Sequence, residues 1–280
     1  MELKRVRLDQ PLTYDFDIDS LVSVKEYLGR KLKDLEKTKL QEAFGKVQEQ
    51  IDKGFTKNQL INFANGTVTR AYHPVFMAMH ELGLSKKPTG VSLSVKTSDS
   101  LNVAIRRSLL NGGDRGCLGC VAGFLRKEKS GTVAELVKTN LFGEAGESEE
   151  VGFSLKDVTS FGAPFVVDVA DQEEVIAMAT LNITSSQLLA RRDNAKAVSK
   201  PNQLIEKDVF FLNDAQVRAL VPRAYGAAQH LVALIAPQLG TPSGEAVFNQ
   251  IRLPFYDRKA VWDGLVPLLD EFQIPHPLFG

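Results

Sequence analysis

Apolar residues near the start of the chain recur every three or four positions. The first run comprises Leu21, Val24, Leu28, Leu32 and Leu35, and the second comprises Leu40, Phe44, Val47 and Ile51. This spacing places the apolar side chains on one face of a helix, and Asp19 or Ser20 can cap its first turn. The step from Leu35 to Leu40 interrupts the period. The pattern therefore predicts two helices that are separated near residues 36–39.

Helical periodicity and capping residues continue along the rest of the chain. Thr56 and Gln59 have the spacing of a capping box, and Pro74 suits the first turn of a helix. The predicted helices cover residues 56–66, 73–83, 100–113, 133–143, 171–192, 213–240 and 257–272. Strand-like runs are fewer, at residues 90–97, 117–125 and 163–170. The pattern predicts an α+β fold that is predominantly α-helical, with a helical N-terminal region, a small mixed α/β centre and a helical C-terminal region.

An acidic, glycine-containing stretch at residues 143–152 is the strongest candidate for a domain boundary. On either side of it we expect a basic helical and mixed α/β region and an acidic, mainly helical region. An extended arm precedes the first and a short tail follows the second. These four segments are predicted at residues 1–16, 17–145, 146–272 and 273–280.

The composition is typical of a globular protein. Of the 280 residues, 44% are hydrophobic and 24% are charged, which is enough apolar content for a core. No apolar run approaches the roughly 18–20 residues of a membrane span, and the N-terminus lacks the apolar stretch of a signal peptide. The two cysteines are too close in sequence to link distant elements, so we expect a reducing, cytoplasmic setting and no membrane partner.

The formal net charge is zero, but the two halves of the chain differ. Residues 1–140 carry 23 Lys and Arg against 16 Asp and Glu, and residues 141–280 carry 11 against 18. The basic excess is densest at residues 86–129, with nine bases and three acids. Three interpretations stay open. The basic part has a polyanionic partner, basic and acidic faces of different copies meet, or the halves neutralise each other within one fold.

The glycines and cysteines of residues 109–127 do not match the motifs of a phosphate, zinc or redox site. A phosphate-binding loop needs Lys-Ser or Lys-Thr after its glycines, and none follows Gly112 and Gly113. Cys117 and Cys120 lack the further ligands of structural zinc in their neighbourhood. They also lie in a strand-like run, not at a helix start, where a redox pair would have a lowered thiol pKa. We therefore expect packing cysteines, and predict no metal, no cofactor and no catalytic residue.

The basic residues around this stretch favour a different kind of site. Bases that follow a backbone, together with aromatic rings for stacking, are typical of single-stranded nucleic-acid binding. The candidate interface consists of Arg106, Arg107, Arg115, Arg126, Lys127, Lys129, Arg191, Arg192 and Tyr72. It predicts a non-enzymatic, self-associating nucleic-acid-binding protein of coat or nucleoprotein type. Its partners would be single-stranded nucleic acid, RNA above all, and copies of itself.

Two other functions stay open. One is an intracellular α/β enzyme that acts on an anionic small molecule, with Asp114 and Arg115 at the mouth of its site. The other is a protein–protein adaptor. The size of the purified protein and its nucleic-acid content, before and after high salt, separate these functions from the first.

Overall fold

The structure is a computed structural model. It describes residues 2–4, 15–53, 59–62, 68–106, 117–126, 132–143, 148, 151–169, 172–198, 208–224, 226–251 and 267–274.

Strands and helices are interspersed along these ranges. The strands are β1 (Glu2–Lys4), β2 (Phe16–Ile18), β3 (Gln59–Asn62), β4 (Thr69–Tyr72), β5 (Gly90–Lys96), β6 (Asn102–Arg106), β7 (Leu118–Gly119), β8 (Val121–Phe124), β9 (Val158–Val169), β10 (Gln172–Leu181) and β11 (Asp208–Leu212). The α-helices are α1 (Leu21–Leu28), α2 (Asp34–Asp52), α3 (His73–Glu81), α4 (Val133–Phe142), α5 (Ser185–Val198), α6 (Asp214–Leu220), α7 (Ala228–Ile235) and α8 (Pro242–Phe248). Of the helices in the described ranges, none has both the length and the hydropathy that a bilayer crossing requires.

These strands form two sheets. In the larger sheet the strands follow the order β1, β9, β10, β5, β6, β11, with β7 beside β6 and β8 beside β5. The smaller sheet consists of β2, β4 and β3. In it β2 runs parallel to β4, and β3 runs antiparallel to β4. The fold is therefore mixed α/β, and the prediction of a predominantly helical chain is wrong.

Two buried strands account for most of this error. β6 lies inside the predicted helix 100–113, and β10 occupies the first part of the predicted helix 171–192. Every residue of β6 is buried, as are most residues of β10. A strand that is buried on both faces shows no alternation of apolar and polar residues, so its period does not distinguish it from a buried helix.

The predicted helix at 56–66 is also wrong. Its central residues form β3, in which Leu60 pairs with Ala71 and Ile61 pairs with Arg70 of β4. Thr56, the proposed cap, lies outside the described residues. A segment of four residues takes its conformation from the neighbouring strand when that strand satisfies its backbone groups.

The two N-terminal helices are confirmed, with a shifted boundary. Ser20 caps α1, and its side chain accepts a hydrogen bond from the backbone N–H of Ser23 at 3.3 Å. Gly29 ends the helix in the left-handed conformation, at φ 61°, which glycine adopts without a Cβ clash. The break therefore lies at residues 29–33, earlier than the predicted 36–39.

Local signals also hold further along the chain. Pro74 lies in the first turn of α3, and Thr132 forms a capping box with Glu135 before α4. Asn213 caps α6 by accepting from the N–H of Gln216 at 2.8 Å. The helical stretch at 213–240, in which Pro222 is expected to cause a kink or start a second helix, is divided into α6 and α7, and Pro222 lies between them.

Contacts within the chain divide it into two compact units. The first unit comprises residues 1–91, 124–140 and 165–175, and the second comprises 92–123, 141–164 and 176–280. In the first unit α1, α2 and α3 enclose a core with the small sheet, and Ile18, Leu40 and Phe76 are fully buried there. In the second unit β6 pairs antiparallel with β11 and with β5, and every residue of α7 except Gln229 is buried.

Candidate functional site

Arg106, the first base of the predicted interface, is buried in the second unit. It lies in β6 directly opposite Asp208 of β11, and the guanidinium forms an ion pair with the carboxylate. The two side chains are 3% and 0% exposed. Burial lowers the pKa of the Arg106 guanidinium, although the Asp208 charge opposes this shift. The positive charge of Arg106 is therefore used inside the protein and does not face a phosphate at the surface.

Two further bases of the basic segment 86–129 also have aspartate partners. Within the first unit, Lys86 Nζ lies 2.7 Å from Asp168 Oδ1. Within the second unit, Lys96 Nζ lies 3.1 Å from Asp214 Oδ2. Together with the Arg106 pair, these contacts join three bases of the basic segment to aspartates of the acidic half. They support the interpretation that the charge asymmetry is, at least at these positions, neutralised within one chain.

Arg191 and Arg192 have structural roles in α5. Arg191 donates to Asp157 Oδ1 at 2.7 Å. Burial raises the pKa of Asp157, but the hydrogen bonds from Arg191 and Ser154 outweigh it, so this pKa is below its ordinary value. Arg192 is 3% exposed, and its backbone approaches Gly152 so closely that a Cβ there would lie 3.3 Å from the Arg192 nitrogen.

Arg126 follows β8 in the first unit, where its backbone is held by Asn140 of α4. The Arg126 N–H donates to Asn140 Oδ1 at 2.9 Å, and the Asn140 side-chain amide donates to the Arg126 carbonyl at 3.1 Å. The remaining bases of the predicted interface lie outside the described residues: Arg107, Arg115, Lys127 and Lys129. Of the described bases, Arg126 belongs to the first unit and the other three belong to the second.

The cysteines are buried, as the sequence predicts, but they flank β7 and do not lie inside a strand. Cys117 and Cys120 are 4% and 0% exposed. Within the described ranges, no group of three or more His, Cys, Asp or Glu side chains is placed to hold a metal ion.

Tyr72, the aromatic residue of the predicted interface, lines a cleft in the first unit. The cleft has a volume of about 560 Å³. Its lining comprises Asp19, Ser20, Leu21, Gln41, Phe44, Val47, Gln48, Ile51 and Tyr72. We call it the α1–α2 cleft, because all of these residues except Tyr72 lie on α2 or at the start of α1.

The sequence builds this cleft from one side of α2. Phe44, Val47 and Ile51 follow the three- and four-residue steps of a helix face, and they pack against the core of the first unit. Gln41 and Gln48 flank this apolar strip, seven residues apart, and both are exposed. The result is an apolar floor between two amide side chains that can each donate and accept hydrogen bonds.

The opposite wall is the capped start of α1. Ser20 and Asp19 are fixed there by Ser23, whose hydroxyl oxygen accepts from the backbone N–H of Ser20 at 3.0 Å and of Asp19 at 3.1 Å. The Asp19 carboxylate lies 3.2 Å from the same hydroxyl and is exposed. Among the described residues that line the cleft, Asp19 is the one that carries a charge.

A smaller groove lies on another side of α2, against α3. It has a volume of about 240 Å³, and its charged lining residues are Lys39, Glu42, Lys46, Glu81 and the titratable His73. Burial lowers the pKa of His73, whose ring packs 5.6 Å from that of Phe124. Opposite charges balance across this α2–α3 groove, so its lining favours no sign of ligand charge.

Comparison with known proteins does not identify a family for this chain. No protein-family model matches the chain, and no curated protein matches it. Nine chains of solved structures match. One is described as the MutT protein from Methanosarcina mazei Go1, with 8% identity over 47% of this chain and 80% of that chain, at a TM-score of 0.28. A likeness of this size carries no argument about fold or function.

Proposed function

We propose that the protein is a binding protein whose ligand occupies the α1–α2 cleft. The observation that carries this proposal is the cleft itself, with a volume of about 560 Å³. Ligand sites commonly enclose about 300–1,000 Å³ and combine an apolar floor with a few polar groups that converge on it. Phe44, Val47 and Ile51 supply the floor, and Gln41 and Gln48 supply two of the polar groups.

The polar groups of the cleft favour a ligand with both donors and acceptors. The Gln41 amide offers one carbonyl oxygen and two N–H donors, and Gln48 offers its carbonyl oxygen and one N–H beside its bond to Asp52. The hydroxyls of Ser20 and Tyr72 can donate or accept. An apolar body on the floor gains burial, and the rim then fixes its orientation. This division of roles is the usual one in small-molecule and side-chain pockets.

The experiment is a ligand screen against the wild type and two matched tryptophan variants. A library of small aromatic compounds is tested by saturation-transfer NMR and by thermal unfolding. Gln41→Trp fills the cleft, whereas Gln50→Trp places the same side chain on an exposed position of the same helix outside the lining. Hits should bind Gln50→Trp as they bind the wild type and bind Gln41→Trp about tenfold more weakly or worse. Hits that bind both variants equally would contradict the proposal.

The second candidate is the self-associating, cytoplasmic nucleic-acid-binding protein expected from the sequence. One observation favours it: residues 86–129 carry nine bases, and among the described residues the ion pairs above account for Lys86, Lys96 and Arg106. Arg107, Arg115, Lys127 and Lys129 retain their place in this proposal as the bases that would follow a backbone.

Anisotropy of a labelled single-stranded RNA separates the two candidates. Counterion release makes nucleic-acid affinity fall steeply with salt. The second candidate therefore expects binding at low salt that is lost at high salt and weakened by Lys127→Glu with Lys129→Glu. Lys25→Glu, on the exposed face of α1, is the charge control. Absence of RNA binding at low salt, with a monomer by light scattering, removes this candidate.

A further inference from the structure

We infer that the α1–α2 cleft selects a cationic ligand, in which an ammonium or guanidinium group is carried on an apolar body. The inference rests on the proposed function, because it names the class of ligand for that same cleft. Of the nine lining residues that the structure describes, Asp19 carries a negative charge and none is a lysine, arginine or histidine. This described part of the lining therefore offers a counterion to a cation and none to an anion.

Asp19 is held in place at the edge of the cleft. It directly precedes the N-cap Ser20, and its backbone N–H donates to Ser23 Oγ at 3.1 Å. The same hydroxyl lies 2.9 Å from the Ser20 carbonyl and 3.2 Å from Asp19 Oδ1. Because a hydroxyl has a single proton, the shorter contact to the carbonyl competes with the carboxylate for it. The carboxylate thus keeps most of its accepting capacity for a ligand.

The partial charges at the ends of α1 and α2 do not cancel the negative charge of Asp19. The start of α1 contributes a partial positive charge of about half an electron, which is smaller than the full charge of Asp19. The opposite wall includes Gln48 and Ile51, close to the C-terminal end of α2, where a helix has its negative pole. The last turn of α2 contains no basic residue. Its Asp52 accepts from the Gln48 amide at 2.8 Å.

The neighbouring acid Glu49 adds less negative charge near the cleft, because Lys53 Nζ lies 2.6 Å from its carboxylate. Asp19 therefore remains as the acid in the described lining of the cleft, and Asp52 is bonded to the lining residue Gln48. A ligand that lays an aliphatic or aromatic body on Phe44 and Ile51 brings a terminal cation to this acidic rim. The cation can come from a free amine or from a lysine or arginine side chain of a peptide.

The test uses probes of one shape and different charge. Three of them have similar size: 2-phenylethylamine, its neutral counterpart 2-phenylethanol, and the anion 3-phenylpropionate. The fourth, a blocked Phe-Lys dipeptide, carries the phenyl ring and the ammonium group on a peptide. Chemical-shift titrations are recorded for the wild type, for Asp19→Asn and for Glu26→Gln. Glu26 is an exposed acid on α1 outside the cleft lining, so its substitution changes the net charge equally.

We expect the amine to bind more tightly than the alcohol, and the anion to bind most weakly. Asp19→Asn should weaken amine binding roughly threefold to fivefold, as for a partly exposed ion pair, without changing alcohol binding, and Glu26→Gln should change neither. Tighter binding of the dipeptide than of the amine assigns the cation to a peptide, and the reverse order assigns it to a free amine. Equal binding of amine and alcohol overturns the charge inference while the cleft remains a binding site. Absence of binding by all four probes overturns both.

Discussion

Arg106 and Asp208 lie directly opposite each other on the antiparallel strands β6 and β11, and they form an ion pair that is almost wholly buried. The two residues are far apart in sequence and belong to the basic and acidic halves of the chain. These two charges therefore neutralise each other in the core, and this part of the charge asymmetry does not indicate an external partner. A base that is predicted to contact phosphate instead fixes the position of an edge strand.

Removal of one partner of this pair should be strongly destabilising. Asp208→Ala leaves a buried guanidinium without its counterion, and we expect a loss of roughly 3–5 kcal/mol in the free energy of unfolding. Replacing both residues by apolar ones, Arg106→Met with Asp208→Leu, should restore most of that loss, because the desolvation cost disappears with the charges. Urea denaturation measures both variants. A change of less than about 0.5 kcal/mol in Asp208→Ala would show that the pair is open to solvent.

Glu36 makes the stability of the first unit depend on pH. The Arg30 side chain donates to Glu36 at 2.9 Å, and the backbone N–H of Lys33 donates to it at 2.8 Å. These two bonds lower the pKa of Glu36 from 4.5 to about 2. The stabilisation is thus complete above pH 4.5 and is lost as the pH falls towards about 2, because the unfolded state binds the proton first.

Glu36→Gln removes this titration and is the matched variant for it. The stability difference between the wild type and Glu36→Gln should shrink as the pH falls from 4.5 to about 2. Unfolding curves recorded at several pH values measure the difference, and NMR titration of the Glu36 carboxyl gives its pKa directly. A constant difference across this range, or a carboxyl pKa close to its ordinary value, would contradict the account.

The cysteines should matter for packing alone. Cys117 and Cys120 are both buried, so their joint replacement by alanine should cost about 0.5–3 kcal/mol of stability. Binding of cleft ligands should stay unchanged, because both residues belong to the second unit and the cleft lies in the first. Denaturation and ligand titration of the double variant check this. Stoichiometric zinc in the purified wild type would refute the packing role.

Two glycines should respond oppositely to alanine. A Cβ on Gly244 would lie 2.0 Å from the backbone carbonyl oxygen of Gln238, so Gly244→Ala should destabilise the protein by about 1–3 kcal/mol. A Cβ on Gly45, inside α2, would meet no atom within 4 Å. Gly45→Ala should therefore stabilise the protein by roughly 0.5–1 kcal/mol, because alanine is the better helix former. Thermal unfolding compares the two, and equal effects would contradict this description of their surroundings.

The features that the sequence predicts correctly depend on neighbouring residues. The Ser20 cap, the capping box of Thr132 and Glu135, and the Asn213 cap each involve residues three positions apart. Such signals act before any tertiary contact forms, so the local sequence is sufficient to identify them. The same locality explains why the two N-terminal helices are confirmed although their boundary is shifted.

The wrong predictions concern features that depend on distant parts of the chain. The sequence predicts a helix at β10 because burial on both faces removes the alternation that marks a strand. It predicts a surface position for Arg106 because the partner Asp208 lies in a strand that only folding brings beside it. The sequence does not reveal the α1–α2 cleft for the same reason. Gln41 and Gln48 form its rim only because the start of α1 lies against that side of α2.

The most direct test of the central claim is a map of backbone amide shift changes on binding of 2-phenylethylamine to the isotopically labelled protein. We expect the largest backbone amide shift changes at Ser20, Phe44, Gln48 and their neighbours in the α1–α2 cleft. The α2–α3 groove around His73 should change little, and Gln41→Trp should abolish the pattern. Shift changes that concentrate outside the cleft, or that persist in Gln41→Trp, would contradict the assignment of this cleft as the binding site.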